Sequence, residues 1–353
     1  MGKTPQHWGG SRQWNPDHVK SVLADKVPLA TPYMIYVDPT NACNFRCKFC
    51  PTGHPDVLKR VGREVKTMSM KVFTKVIDDL KAFPDKIRVF SFHKDGEPLL
   101  NPRLGEMMRY AVEQGVAERY WLTTNASLIT PEKAREIVAS GIDYVRLSIE
   151  HVDAEGYKEY TQTFSDYDRI VSNVRTLFEE RERQSSKMQI FAKVIDFNFT
   201  PDQIEKFGND FGDIADEVLL TANHAWSAPE SGDFSMGIEA KIGYDGERPL
   251  YRSRVACYYP FYMMAVNSDG GVGLCALDWS HATCIDNVME KSLLDIWNGK
   301  KARAFQVLHL AGRRHENSAC KNCLCVSYDD KSELDPARER LLPVFEELER
   351  NAT

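Results

Sequence analysis

The chain has 353 residues, 42% of them hydrophobic, with nine cysteines and a formal net charge of −6 at neutral pH. That supports a large core, in two domains or in one with an appendage. The acidic balance argues against nucleic acid as a partner, no apolar run near the start reads as a secretory signal, and the longest apolar stretch, PFYMMAV at 260–266, is too short to cross a bilayer. A soluble cytoplasmic protein is expected. In a reducing cytosol nine cysteines point to metal or redox chemistry and not to a disulfide framework.

An extension at 1–32 precedes the first strong pattern. From 33 to 225, short apolar runs alternate with helical spacing, predicting strands at 33–39, 87–93, 119–125, 144–150, 189–196 and 217–222. Helices are expected between them at 71–82, 102–114, 130–139, 168–183 and 200–207, with Thr130 as an N-cap before Pro131. Six strand–helix units in series imply a parallel sheet, either a partial barrel or a doubly wound sheet. Residues 226–250 are rich in Gly, Pro and Ser and read as a linker. A small unit at 251–353 follows: a hairpin turning at Asp269–Gly270, a helical stretch interrupted at Asn298–Gly299, and an amphipathic tail helix with Leu341, Leu342, Phe345 and Leu348 on one side.

The cysteines fall in two groups. Cys43, Cys47 and Cys50 crowd the loop after the first strand, and Cys257, Cys275, Cys284, Cys320, Cys323 and Cys325 lie near the end. The loop sits at a strand's C-terminal end, the catalytic face of α/β folds. Three thiolates can hold three irons of a cubane and leave the fourth open to a small molecule. The alternative is a zinc site completed by His54.

Further along, Arg146, Ser148 and Glu150 alternate with Val145, Leu147 and Ile149, so three polar groups share one strand face, and Lys193 shares a face with Phe191. Such groups in core strands need a ligand or one another. They read either as a salt bridge filling the barrel or as the lining of a zwitterion's site. His93 and His151 read as packed or surface histidines.

Together these features resemble the radical S-adenosylmethionine (SAM) superfamily, over about 33–222. Cys43-x3-Cys47-x2-Cys50 matches its cluster motif, with Phe49 where the family sets an aromatic against adenine. KDGEP at 94–98 resembles its GGEP segment, with Asp95 in place of the first glycine, and implies that Gly96 and Glu97 hold the methionine amino group. TTNASL, with Asn125, stands where a TNG segment is common, and RLSIE resembles the strand whose polar side chains, here Ser148, reach the ribose. The resemblance implies a partial (β/α)6 radical SAM barrel at 33–225, a SAM-binding [4Fe-4S] cluster, and SAM as the missing iron ligand. Reductive cleavage would then yield a 5′-deoxyadenosyl radical that takes a hydrogen atom from substrate.

The second group resembles the family's SPASM or twitch auxiliary domains, a β-hairpin plus helices. Cys257, Cys275, Cys320 and Cys323 are the implied ligands of one auxiliary [4Fe-4S] cluster; zinc is the alternative, since two cysteine pairs also make a zinc ribbon. The two-cluster pattern continues with further cysteines, whereas here only Cys325 follows. Cys284 and Cys325 are spare: inert packing, an alternative ligand, or a thiol that returns hydrogen to a substrate radical.

Single-cluster members include an aminocyclitol dehydrogenase, and sugar epimerases carry related domains. The expectation is therefore dehydrogenation or epimerisation of a hydroxylated small molecule such as a sugar, aminocyclitol or aminoglycoside. Glu150, Lys193 and Arg146 are the candidate catalytic or anchoring groups, Cys325 is the candidate hydrogen donor, and flavodoxin or ferredoxin would supply electrons. The rivals are a peptide-modifying maturase and a non-enzymatic zinc or electron-transfer protein. A Rossmann dehydrogenase is disfavoured, because no glycine-rich turn follows the first strand.

Overall fold

The structure is a computed structural model that describes residues 6–7, 23–163, 166–223, 226–238, 250, 254–327 and 334–352. Most of the N-terminal extension and part of the expected linker lie outside these residues. Strands β1 (Gln6–His7), β2 (Met34–Val37), β3 (Ile87–Phe92), β4 (Ala117–Thr124), β5 (Tyr144–Ile149), β6 (Gln189–Ile195) and β7 (Glu217–Thr221) belong to one sheet. From β2 to β7 each strand runs parallel to the next in chain order. A doubly wound sheet would reverse its order at a switch point; this one does not, so the unit is a partial (β/α)6 barrel.

The strand residues divide by face. Ile35, Val37, Val145, Leu147, Ala192 and Val194 are completely buried, whereas Tyr36, Arg146, Ser148 and Lys193, which alternate with them, are only partly so. The apolar set packs beneath the helices, and the second set lines the interior. Two residues directly opposite on adjacent strands share a face, and Arg146 stands opposite Thr123 and Phe191, Ser148 opposite Lys193.

The crossover helices are α1 (Pro55–Arg60), α2 (Met70–Leu80), α3 (Leu104–Gln114), α4 (Pro131–Ala139), α5 (Ala154–Thr161), α6 (Tyr167–Arg183) and α7 (Pro201–Phe211). Thr130 caps α4 by accepting from the Lys133 N–H, and Thr200 forms a capping box with Gln203 on α7. The short helices α1 and α5 have too few turns for a periodic signal and were not foreseen in the pattern; α7 runs four residues past its expected end at 207.

The C-terminal unit extends the same sheet. β8 (Met263–Val266) pairs parallel with β2 on the side opposite β3, followed by antiparallel β9 (Gly271–Gly273) and β10 (Cys284–Asn287). The hairpin turn carries Gly270 at φ 89°, a left-handed conformation that favours glycine. Helices α8 (Leu293–Asn298) and α9 (Lys300–Leu310) are separated at Gly299, and α10 (Arg338–Asn351) buries Leu341 and Phe345. Within the expected linker, Ala228 and Phe234 are buried with Val57 and Trp279. Among the described residues no helix is long and apolar enough to cross a membrane.

Candidate active site

The cysteine loop leaves β2 and folds over the mouth of the barrel. Its turns close by Cys50 N–H to the Cys47 carbonyl (3.1 Å) and Gly53 N–H to the Cys50 carbonyl (2.9 Å). A Cβ on Gly53 would stand 2.4 Å from the Cys47 oxygen, so only glycine lets the chain return this closely. The 94–98 segment is pressed on the same loop: a Cβ on Gly96 would lie 2.2 Å from the Thr40 oxygen and 2.3 Å from that of Ala42. Glu97 N–H donates to the Ala42 carbonyl at 2.8 Å.

The Glu97 carboxylate is buried and accepts from Leu99 N–H (3.0 Å), Thr124 Oγ1 (2.7 Å) and Asn125 N–H (2.7 Å). In this structure it therefore locks the end of β4 to the 94–98 loop. Asn125 in turn donates through Nδ2 to Asn44 Oδ1 at 2.9 Å, tying β4's end to the cysteine loop. Burial pushes the Cys43 thiol up to about 12 and Cys50 up to about 11. These thiols lose their protons when a metal takes their place. His54, the fourth ligand of the zinc alternative, donates instead from Nε2 to the Lys48 carbonyl at 2.9 Å. Phe49 is buried, its ring 5.1 Å from that of Phe197.

Inside the barrel, burial raises the Glu150 carboxyl to about 7 despite the neighbouring Lys193. Burial, reinforced by Arg146, lowers Lys193 to about 8. Arg146 Nη2 donates to His93 Nε2 at 3.1 Å, and His93 Nδ1 then donates to Ser91 Oγ at 2.7 Å. His93 is thus neutral, held well below the usual imidazole range by burial and by Arg146. This corrects its reading as an ordinary packed histidine: it belongs to the polar interior, as does Tyr36, whose ring lies 5.6 Å from it. The signal was available, since in the expected strand at 87–93 Ser91 and His93 are two residues apart and so share one side. His151, by contrast, packs against Tyr160 and Phe199.

The second thiol group encloses a cavity walled by Cys257, Cys275, Cys320, Cys323 and Cys325, with Tyr259, Pro260, Phe305 and His309. All four expected ligands meet there, and the spare Cys325 joins them; the exposed Cys284 does not, its sulfur accepting from Asn267 Nδ2 at 2.9 Å. The Cys325 thiol donates to the Cys323 sulfur, which lowers Cys323 and raises Cys325. Four thiols around one small space are a donor set that a cubane's four corners would accept.

Two further residues, missed in the sequence, frame this cavity. Cys257 N–H donates to His309 Nδ1 at 3.4 Å, leaving the protonated Nε2 3.8 Å from the Cys320 sulfur, and burial holds His309 down to about 3. Arg314 donates to the carbonyls of Cys320 (2.7 Å) and Cys323 (3.2 Å) and so shapes the C-x2-C turn.

A parallel partial barrel with a three-cysteine loop at its mouth, followed by a separate thiol cavity, is the arrangement that a radical SAM enzyme with an auxiliary cluster would need. Residues 37–191 match the model of the radical SAM superfamily and residues 257–324 that of an iron–sulfur cluster-binding domain, so the chain carries both a radical SAM domain and an auxiliary-cluster domain. Its cofactors are SAM, the [4Fe-4S] cluster that binds it and an auxiliary iron–sulfur cluster. A tungsten-containing aldehyde ferredoxin oxidoreductase cofactor-modifying protein of Pyrococcus furiosus is 31% identical over 116 residues, 33% of this chain and 30% of that protein. The chain thus aligns with about a third of such a relative's length. Among solved structures, BtrN in complex with AdoMet and 2-DOIA superposes with a TM-score of 0.52 at 18% identity, covering 86% of this chain and 97% of that one. Streptococcus suis SuiB bound to S-adenosylmethionine gives 0.61 at 15% identity, covering 89% and 76%.

Proposed function

We propose that the chain oxidises a hydroxylated, carbohydrate-like small molecule, by removing a hydrogen atom from a carbinol carbon and a proton from its oxygen. The observation that carries this reading is the interior polar face: Arg146 and Ser148 on β5, Ser148 in register with Lys193 on β6, and Glu150 just past the end of β5. When bound, SAM and the clusters supply hydrogen-atom abstraction at carbon and a sink for one electron. The protein supplies the rest. A carboxyl that titrates near 7 is matched to accepting a hydroxyl proton at neutral pH. Lys193 and Arg146 offer donors to the oxygens of a hydroxyl-rich substrate, and His93 fixes the guanidinium that it accepts from. Gly96, Glu97, Asn125, Ser148 and Phe49 are proposed to hold SAM, and Cys43, Cys47 and Cys50 its cluster. For the auxiliary cluster we assign Cys257, Cys275, Cys320 and Cys323.

Between dehydrogenation and epimerisation these residues favour the first. The candidate hydrogen donor Cys325 is a free thiol buried in the wall of the auxiliary cavity, hydrogen-bonded to Cys323, and not on the face that carries Glu150. The test uses anaerobically reconstituted enzyme with SAM and a reductant in heavy water, screened against sugar nucleotides, aminoglycosides and peptides for stimulated release of 5′-deoxyadenosine. A carbohydrate product two hydrogens lighter is expected. Deuterium at an inverted carbon would replace dehydrogenation with epimerisation, and stimulation by peptides alone would replace the substrate class.

A further inference from the structure

Asp95 stands where the superfamily segment carries a glycine, and its carboxylate is the centre of a buried ion cluster that the proposed chemistry does not use. Oδ2 accepts from Lys94 Nζ at 2.7 Å and from His281 Nε2 at 2.9 Å, with Arg63 Nη2 at 3.5 Å. The side chains of Arg63, Lys94 and Asp95 are each only 2% exposed. Ions removed from water this completely are costly unless each keeps its partners, so the cluster holds together or fails as a unit.

Its members come from three different loops. From the cysteine loop, Thr52 Oγ1 donates to the Asp95 carbonyl at 2.7 Å, and Arg63 Nη2 reaches the Asn41 carbonyl at 3.4 Å. From the auxiliary side, the carbonyls of Asp278 and Trp279 accept from Lys94 Nζ (2.8 Å) and Arg63 Nη1 (3.1 Å). The 275–283 segment is itself braced. Asp278 Oδ1 accepts from Ser280 N–H and Oγ, and Oδ2 from Thr283 N–H at 2.6 Å. Cys275, at the start of that segment, lines the auxiliary cavity. One set of charges thus bonds the auxiliary loop, the 94–98 loop and the cysteine loop together.

We propose that this cluster is a positioning device through which the auxiliary loop 275–283 fixes the 94–98 loop against the cysteine loop, with Asp95 and His281 as positioning residues for SAM. It rests on the reading that Gly96 and Glu97 hold the methionine end of SAM. Substituting the glycine by aspartate converts a bare backbone contact into a link between the two cluster-bearing parts of the chain.

The test variant is His281→Asn. Asparagine tolerates the left-handed backbone at this position (φ 60°) but offers a shorter side chain toward Asp95. On enzyme reconstituted with both clusters, hydrogen–deuterium exchange and equilibrium dialysis with SAM are the readouts. The substitution should raise exchange in both 275–283 and 94–98 and weaken SAM binding about tenfold, the scale of one charge-assisted hydrogen bond. Ser280→Ala removes the Ser280 Oγ–Asp278 Oδ1 bond (2.6 Å) inside the same loop without touching Asp95, and should raise exchange in 275–283 alone. Faster exchange confined to 275–283 in His281→Asn, or an equal loss of SAM affinity in Ser280→Ala, overturns the proposal. Loosening of both segments with SAM affinity unchanged keeps the mechanical link and overturns the assignment of SAM to the 94–98 loop.

Discussion

The two thiol sites are built in opposite ways. In the barrel, Cys43, Cys47 and Cys50 come from one loop, backed by the Glu97 carboxylate, which accepts from Thr124 and Asn125, and facing a charged interior. In the C-terminal unit, five thiols come from the segments flanking the β8–β9 hairpin and from 320–325, and line a cavity walled mainly by apolar side chains. A site made by one loop would cover one side of a cluster and leave room for a further ligand, whereas a site made by distant segments would enclose its cluster and shield it from solvent. Enclosure, more than thiol count, is what distinguishes the two sites here.

The largest effect should come from breaking the open site. Cys43→Ala, Cys47→Ala or Cys50→Ala is expected to reduce 5′-deoxyadenosine release to the no-enzyme background. Cys320→Ala should cost about four irons per chain, one cubane, while SAM cleavage persists. Loss of SAM cleavage in Cys320→Ala would show that the first centre depends on the auxiliary cluster itself and not only on the loop contact through Asp95.

Glycines give the next contrast. Gly96→Ala places a methyl 2.2 Å from the Thr40 oxygen, a backbone atom that cannot step aside, so a loss of at least about 3 kcal/mol in chemical denaturation and loss of SAM binding are expected. Gly270→Ala meets a side-chain oxygen of Asn287 at 2.9 Å and pays chiefly for its left-handed backbone, about 1–2 kcal/mol. Equal destabilisation by the two would remove the argument that the 94–98 loop is the tighter of the two approaches.

Within the barrel, Glu150 ties activity to pH. Its carboxyl is raised to about 7 by burial, so it is protonated below that value and accepts a proton above it. Product formation should rise as pH passes 7, and Glu150→Gln should lower it at least tenfold and flatten the profile. Stability moves the other way. A carboxyl raised in the folded state contributes stability that is complete below its unfolded value and is lost as pH rises through about 7. Glu150→Gln should therefore gain on the wild type in denaturation midpoint above pH 7, and a profile unchanged by the substitution would remove Glu150 from proton transfer.

Much of the barrel was legible because its signals are local. The alternation of Arg146, Ser148 and Glu150 with Val145, Leu147 and Ile149 fixed both the strand and its polar face, and register then placed Lys193 beside Ser148. The cysteine spacing pointed to the loop after β2, and Cys257 and Cys275 with the C-x2-C pair pointed to thiols that the fold does bring around one cavity. What stayed hidden depends on pairings between distant segments. Nothing in the apolar run at 263–266 says that it will lie beside β2. The Arg146–His93 bond spans 53 residues and Asp95–His281 spans 186, so each of these histidines looked unremarkable in its own segment. His309 and Arg314 were invisible for the same reason: their roles exist only once the 320–323 turn folds against them.

The smallest effects should separate the two spare cysteines. Cys284 is exposed on β10, and Cys284→Ala is expected to change stability by no more than about 0.5 kcal/mol and iron content not at all. Cys325 is buried in the cavity wall and donates to Cys323. Removing it deletes one weak hydrogen bond and a small volume, about 1 kcal/mol, while the four remaining thiols still hold a cubane. Iron and sulfide analysis of Cys325→Ala should match the wild type, with a perturbed auxiliary-cluster EPR signal as the mark of the lost contact. A loss of about four irons would instead make Cys325 a ligand and release one of the other four sulfurs. The closed site would then owe its enclosure to a different set of corners, and the thiol left over would be the one to examine for hydrogen return.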